Sequence, residues 1–246
     1  MHQGISNRAP FAEALLQGAR IVSLIGSGGK TTLLEELGRE LSAEHPDATV
    51  VLTTTTHLWP PQGLPLIAGA TLEEAATALR KIHLAYVADQ CLVKGEKKLC
   101  CPSFGIAPLA EVAGYLLIEA DGSHMLPLKA HGAHEPVVPA CTERCILVLG
   151  ASGFGQPIAR SAHRPALFAE RANCSVNDLA TPERTAAVVA SELASGQIAP
   201  SALFVNQAEE SAAGAAAAFA SALSRKAPAL PVFAGSIRRS EIVQLI

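Results

Sequence analysis

A doubly wound α/β fold, with a mostly parallel sheet flanked by helices, is predicted by three observations. Short apolar runs alternate with amphipathic helical stretches along the chain. A glycine-rich turn follows the first apolar run and leads straight into a helix. Threonine, acidic or asparagine residues close several of the apolar runs, at the sheet edge where α/β folds hold ligands.

The elements bear this out in order. Residues 20–25, Arg-Ile-Val-Ser-Leu-Ile, read as a buried strand bounded by glycine. Leu33, Leu34, Leu37 and Leu41 then fall at helical spacing, with Glu35, Glu36, Arg39 and Glu40 on the other faces. Residues 49–53 form the next strand, and a strand–helix–strand unit implies parallel strands. Thr71 and Glu74 make a capping box for a helix that buries Leu72, Ala75, Ala76 and Leu79. Residues 85–101 read as a hairpin around Lys94–Lys97, an antiparallel edge. Tyr115–Ile118 is a strand ending at Glu119-Ala120-Asp121-Gly122, and Cys145–Leu149 is another ending at Gly150. Thr181 caps a helix with Pro182 at its first position and Gly196 past its end. Ala202–Val205 is a strand ending at Asn206, Glu209–Lys226 is helical, and Pro231–Ala234 is a last short strand. No linker interrupts the series, so residues 1–246 are expected to form a single domain.

Composition narrows the function classes. The 246 residues are 49% hydrophobic and 17% charged, enough to bury a large core. The net charge of −3 comes without any long basic run, which argues against nucleic acid as a partner. No apolar stretch reaches the roughly 18 residues of a membrane span. Met1–Pro10 is polar and lacks the apolar segment of a secretory signal. A cytoplasmic protein without membrane association is expected. Cys91, Cys100, Cys101, Cys141, Cys145 and Cys174 show no zinc spacing and read as free thiols.

Several segments carry chemistry. Gly26-Ser27-Gly28-Gly29-Lys30-Thr31-Thr32 stands between a strand and a helix. Glycines let the backbone turn sharply and aim N–H groups at an oxyanion, and the helix adds its positive end. Lys30 can neutralise β- and γ-phosphate charge, and Thr31 sits where a hydroxyl ligand of Mg²⁺ belongs. The commonest phosphate loop begins with a glycine where this chain has Leu24. The shorter form here resembles the phosphate loop of the Mur ligases. A nucleoside triphosphate, ATP or GTP, with Mg²⁺ is the expected ligand.

Asp121 or Glu119 can hold that metal or orient water. Thr54 and Thr55, in the run Thr53–Thr56, place hydroxyls at the ligand edge of the sheet. Lys129 and His131 lie in the proline-rich segment Leu126–Pro136, and His163 and Arg164 precede Pro165. These are candidates for substrate or switch contacts. Asn206-Gln207-Ala208-Glu209 stands where GTPases carry Asn-Lys-x-Asp, so Asn206 is a candidate for the nucleotide base.

Taken in order, Ser23–Thr32, Thr53–Thr56, Glu119–Gly122, Leu126–Lys129 through His134-Glu135-Pro136, and His163-Arg164-Pro165 resemble the YqeC family. That family is described as accessory proteins of selenium-dependent molybdenum hydroxylases. The resemblance implies a nucleotide-dependent step in maturing hydroxylases that carry a labile selenium cofactor. It also implies a molybdenum hydroxylase, or its cofactor-maturation proteins, as partner. Family members often carry Asn-Lys where this chain has Asn206-Gln207, which leaves ATP and GTP both open. Three functional readings follow: an NTPase driving cofactor insertion, a Mur-like ligase or kinase acting on a small molecule, and a nucleotide-sensing module without turnover.

Overall fold

The computed structural model describes residues 10–246, so the polar segment Met1–Pro10 lies outside the described part except for its last residue. In chain order the elements are α1 (Pro10–Leu16), β1 (Ile21–Gly26), α2 (Lys30–Glu44), β2 (Val50–Thr54), β3 (Leu66–Ala68), α3 (Leu72–Leu79), β4 (Leu84–Val93), β5 (Glu96–Cys100), α4 (Ile106–Val112), β6 (Tyr115–Glu119), β7 (Leu128–Lys129), β8 (Arg144–Gly150), α5 (Ile158–Ser161), β9 (Ala162–His163), α6 (Pro165–Arg171), α7 (Pro182–Ala194), β10 (Ala202–Asn206), α8 (Glu210–Ser224), β11 (Val232–Ser236) and β12 (Glu241–Gln244). The expected α/β class is observed, with mostly parallel strands and helices between them. Two compact units can be distinguished. Of the described residues, the first holds Pro10–Leu24, Thr31–Gly122 and Val137–Arg144; the second holds Ile25–Lys30, Ser123–Pro136 and Cys145–Ile246.

In the first unit the strand order is β1-β6-β2-β4-β3, all parallel, with β5 antiparallel to β4. The strand–helix–strand unit expected at β1-α2-β2 is parallel as predicted, but β6 lies between its two strands. Helix α2 buries Leu33, Leu34, Leu37 and Leu41. Elsewhere in the unit, Val51, Ala85, Val87, Leu116 and Ile118 from the strands meet Ala75 and Leu79 of α3 and Ile106 and Leu109 of α4. The Thr71–Glu74 capping box is present, its hydroxyl accepting from Glu74 N and the Glu74 carboxylate accepting from Thr71 N. The hairpin is also present, although its turn is only Lys94-Gly95, both with positive φ, so β5 begins at Glu96. Its first strand is not an edge, because β4 also pairs with β2 and β3. Helix α1 is held by Glu40 of α2, whose carboxylate accepts from Ala12 N at 2.7 Å and Phe11 N at 3.3 Å. Burial drives the Glu40 carboxyl up to about 7, against the pull of those two N–H groups and with help from nearby Glu36 and Glu44.

In the second unit β8, β10 and β11 are parallel and β12 closes the series antiparallel to β11. Phe204, Phe219, Leu203 and Leu223 are fully buried there. Helix α7 begins as predicted, with Thr181 Oγ1 accepting from Arg184 N at 3.3 Å, and Pro182 at its first position. A separate two-stranded pair joins β7 to β9, with Leu128 opposite Ala162 and Lys129 opposite His163.

Candidate functional site

The loop from Gly26 to Lys30 is built by close backbone approach. Gly28 has φ +73°, and a Cβ on it would lie 2.1 Å from Gly150 N. Gly29 has φ +121°, and its Cβ would lie 2.4 Å from Asn206 Nδ2. Any other residue at either place is both strained and obstructed. Lys30, 3% exposed, turns back and donates from Nζ to Gly26 O at 2.6 Å. Ser27 N donates to Val148 O at 2.8 Å, and Ser27 Oγ to Pro127 O at 2.9 Å. Gly28 N donates to Leu126 O at 3.2 Å. Asn206 holds the loop from the end of β10: Nδ2 donates to Gly28 O at 2.8 Å, while Oδ1 accepts from Ile237 N at 3.2 Å. The side chain singled out as a base contact therefore works on main-chain atoms, tying the loop to the turn after β11. Glu209 accepts from Ser236 Oγ at 2.7 Å, and Gln207, at φ 59°, accepts from Ser152 Oγ at 2.5 Å.

The acidic edge belongs to the first unit. Pairing sets Glu119 opposite Leu24 of β1 and opposite Thr54 of β2, so the end of β6 stands between the ends of two strands. Thr31 Oγ1 donates to Glu119 Oε2 at 2.7 Å. Glu119 and Asp121 are buried, at 4% and 1% exposure. Thr32 is exposed. The threonine run is used differently from the expected ligand contacts. Thr53 Oγ1 donates to Val87 O, Thr54 Oγ1 to Glu119 O and Thr55 Oγ1 to Val137 O, at 2.7, 2.9 and 2.8 Å. These hydroxyls fix neighbouring strand ends and the chain after Pro136.

The loop candidates separate into two clusters in the second unit. Lys129 Nζ and Arg164 Nη1 both approach Glu135 Oε2, at 2.7 and 2.8 Å. Burial works to raise the Glu135 carboxyl, but the Arg164 and Lys129 bonds outweigh it and hold it low. His163 stacks on His124 with ring centroids 4.4 Å apart. Burial, helped by the charges of Arg164, His124 and Lys129, lowers His163 to about 4, so its imidazole is neutral at pH 7. His131 belongs elsewhere. It is 1% exposed, its Nδ1 lies 2.6 Å from Glu192 Oε2, and Arg171 pairs with the other oxygen of Glu192. His131 thus anchors its segment to α7, while His134 is exposed.

Sequence reasoning passed over Glu192, His124 and the carboxylate of Glu135. Glu192 did leave a signal, an acid one turn after Val188 on the buried face of α7. His124 left none, because its partner is 39 residues distant along the chain, and Glu135 lies near Lys129 in sequence but meets Arg164 from 29 residues away. The six cysteines are free thiols. Among the described residues no three His, Cys, Asp or Glu side chains gather as a metal site.

A Mg²⁺ ion accompanying a nucleotide needs few protein ligands, since phosphates and water fill its octahedron. The Thr31 hydroxyl and the buried Glu119 and Asp121 carboxylates are hard oxygen donors of the kind it takes.

Comparison with known proteins fits this order of segments. Residues 22–166 match the family model described as YqeC protein. The "Uncharacterized protein YqeC" of Escherichia coli (strain K12) is 32% identical over 157 residues, 61% of this chain and 59% of that relative. The matched stretch thus spans less than two thirds of the relative's length. Among solved structures, HypB from Helicobacter pylori in complex with nickel is similar over 95% of this chain and 87% of that one. Its TM-score is 0.40 and its identity 14%, too distant to bear on the site. No helix among the described residues is long and apolar enough to cross a membrane. With more than half of its length matched to the family model, the chain belongs to the YqeC family.

Proposed function

We propose that the chain binds a nucleoside triphosphate with Mg²⁺ at the Gly26–Thr32 loop and hydrolyses it. The carrying observation is the strand–glycine loop–helix run in which Lys30 is buried against the loop and Thr31 is bonded to the strand-end acid Glu119. In this reading Gly26, Ser27, Gly28, Gly29, Lys30 and Thr32 take the phosphates. Thr31 and Asp121 hold the metal, and Glu119 aids the metal or orients water. The whole chain acts as one domain in the cytoplasm. Its work is the maturation of selenium-dependent molybdenum hydroxylases, with the hydroxylase or its maturation proteins as client. Membership in the YqeC family supports that placement.

Calorimetric titration with ATP and with GTP, each with and without Mg²⁺, tests the reading. Mg²⁺-dependent binding of one nucleotide, abolished in Lys30→Ala, is expected. No binding of either nucleotide would overturn it. Asp121→Asn then separates turnover from binding: retained binding with lost hydrolysis supports an enzyme, and a wild type already without hydrolysis marks a nucleotide-sensing module. A kinase or ligase acting on a small anion is the second reading. The Lys129–Glu135–Arg164 cluster favours it, and nucleotide turnover that depends on an added acceptor would establish it.

A further inference from the structure

The guanidinium of Arg164 is held by one nitrogen only. Nη1 donates to Glu135 Oε2 at 2.8 Å and to Ala130 O at 3.3 Å. Nε and Nη2, the edge that grips carboxylates and phosphates with two parallel bonds, make no hydrogen bond with the described residues. That edge lies over Gly132. A Cβ on Gly132 would come within 3.0 Å of Arg164 Nε and 3.5 Å of Nη2. Gly132 does not have the positive φ that calls for glycine, so its missing side chain serves space for the guanidinium rather than backbone conformation. The turn itself is braced, because Gly132 O accepts from Glu135 N and from Gln197 Nε2, both at 3.0 Å.

The neighbouring residue adds a second, independent sign. His163 Nδ1 is buried and has no hydrogen-bond partner among the described residues. A buried polar nitrogen left in this state is costly, and a bound ion or ligand atom is one remedy. The ring of His124 stacks on the face of the His163 ring, in a turn where His124 and Met125 both hold left-handed φ values of 51° and 60°. Arg164 itself has φ 60°. Three non-glycine residues in this rare region around one cluster are the kind of strain kept at binding sites. That turn is joined directly to the glycine loop: Leu126 O, one residue past Met125, accepts from Gly28 N.

We propose that Arg164 and His163, beside the His124–Met125 turn, form an oxyanion subsite that takes a carboxylate or phosphate group of a second substrate. Arg164 clamps the anion with Nε and Nη2, Gly132 leaves the guanidinium room to lie in place, and His163 donates to the anion from Nδ1 of its neutral ring. Glu135 and Lys129 position the guanidinium without touching the ligand. Only the word "second" rests on nucleotide binding at the glycine loop; the subsite stands without it.

The test uses the full chain carrying Lys30→Ala, which disables the glycine loop as a competing anion site. Histidine ring resonances are followed by NMR during titration with inorganic phosphate and, separately, with acetate, against chloride at equal ionic strength. The His163 signal is assigned by its loss in His163→Gln. A saturable shift of that signal at millimolar anion is expected. It should weaken by roughly tenfold or more in Arg164→Lys, which keeps the charge but loses the fork, and in Gly132→Ala. A response to phosphate alone assigns a phosphoryl group, and a response to both anions assigns a general oxyanion site. A His163 signal that does not move, or that moves equally in folded Arg164→Lys and Gly132→Ala, overturns the proposal. Failure of nucleotide binding in the wild type leaves this result unaffected, so the two readings fall separately.

Discussion

Single atoms decide the shape of the glycine loop. At Gly28 a methyl group would meet Gly150 N at 2.1 Å and Gly150 Cα at 2.5 Å, and the backbone is left-handed. Neither obstacle is a flexible side chain. Gly28→Ala should therefore cost about 3 kcal/mol from strain and overlap together. In thermal unfolding that is a drop of roughly 6–12 °C, and an unchanged transition would refute the close approach. Glu40 gives a pH signature. Its folded carboxyl titrates at about 7 against 4.5 for the free group, so between those values the folded chain holds the extra proton. Stability is then greatest below pH 4.5 with respect to this group, falls as pH rises through 7, and is level above. The fall should be on the order of 3 kcal/mol. Relative to wild type, Glu40→Gln should lack that slope; parallel stability curves for the two proteins from pH 4.5 to 8 would show that Glu40 does not titrate in this range.

Elements differ in how much of themselves they announce. Strand β1, the glycine loop and α2 are legible because every signal is local: an apolar run, a glycine cluster and leucines at helical spacing. The capping box at Thr71 is equally local, and Thr71→Ala should lower stability by about 1 kcal/mol in chemical denaturation. Elements without a periodic pattern went unread. Strand β3 has three residues, β12 four and α4 seven, too few to show a period. The insertion of β6 between β1 and β2 is a matter of pairing, which no single segment encodes. The same limit explains the threonines. Their position at a strand end was visible, but which carbonyls they would meet depends on β4, β6 and the chain after Pro136. Of the candidate site, Lys30, Thr31 and Glu119 were legible as residue types at fixed offsets. The sorting of His131 into a buried pair with Glu192 was not, because 61 residues separate them.

At the scale of the molecule, ligand binding is read as added stability. A nucleotide that binds only the folded chain should, at 100 times its Kd, add about 2.7 kcal/mol. The thermal midpoint would rise by roughly 5–10 °C with Mg²⁺ present, and Lys30→Ala should abolish the rise. A wild type that melts at the same temperature with and without both nucleotides would contradict binding. The bond between Asn206 and Gly28 spans 178 residues of sequence. A chain emerging from the ribosome carries its glycine loop early but lacks the clasp that shapes it until β10 has been made. Synthesis thus imposes a delay on the proposed site: a growing chain cannot shape its glycine loop for a nucleotide until β10 has been made, and fragments ending before Asn206 should lack the clasp.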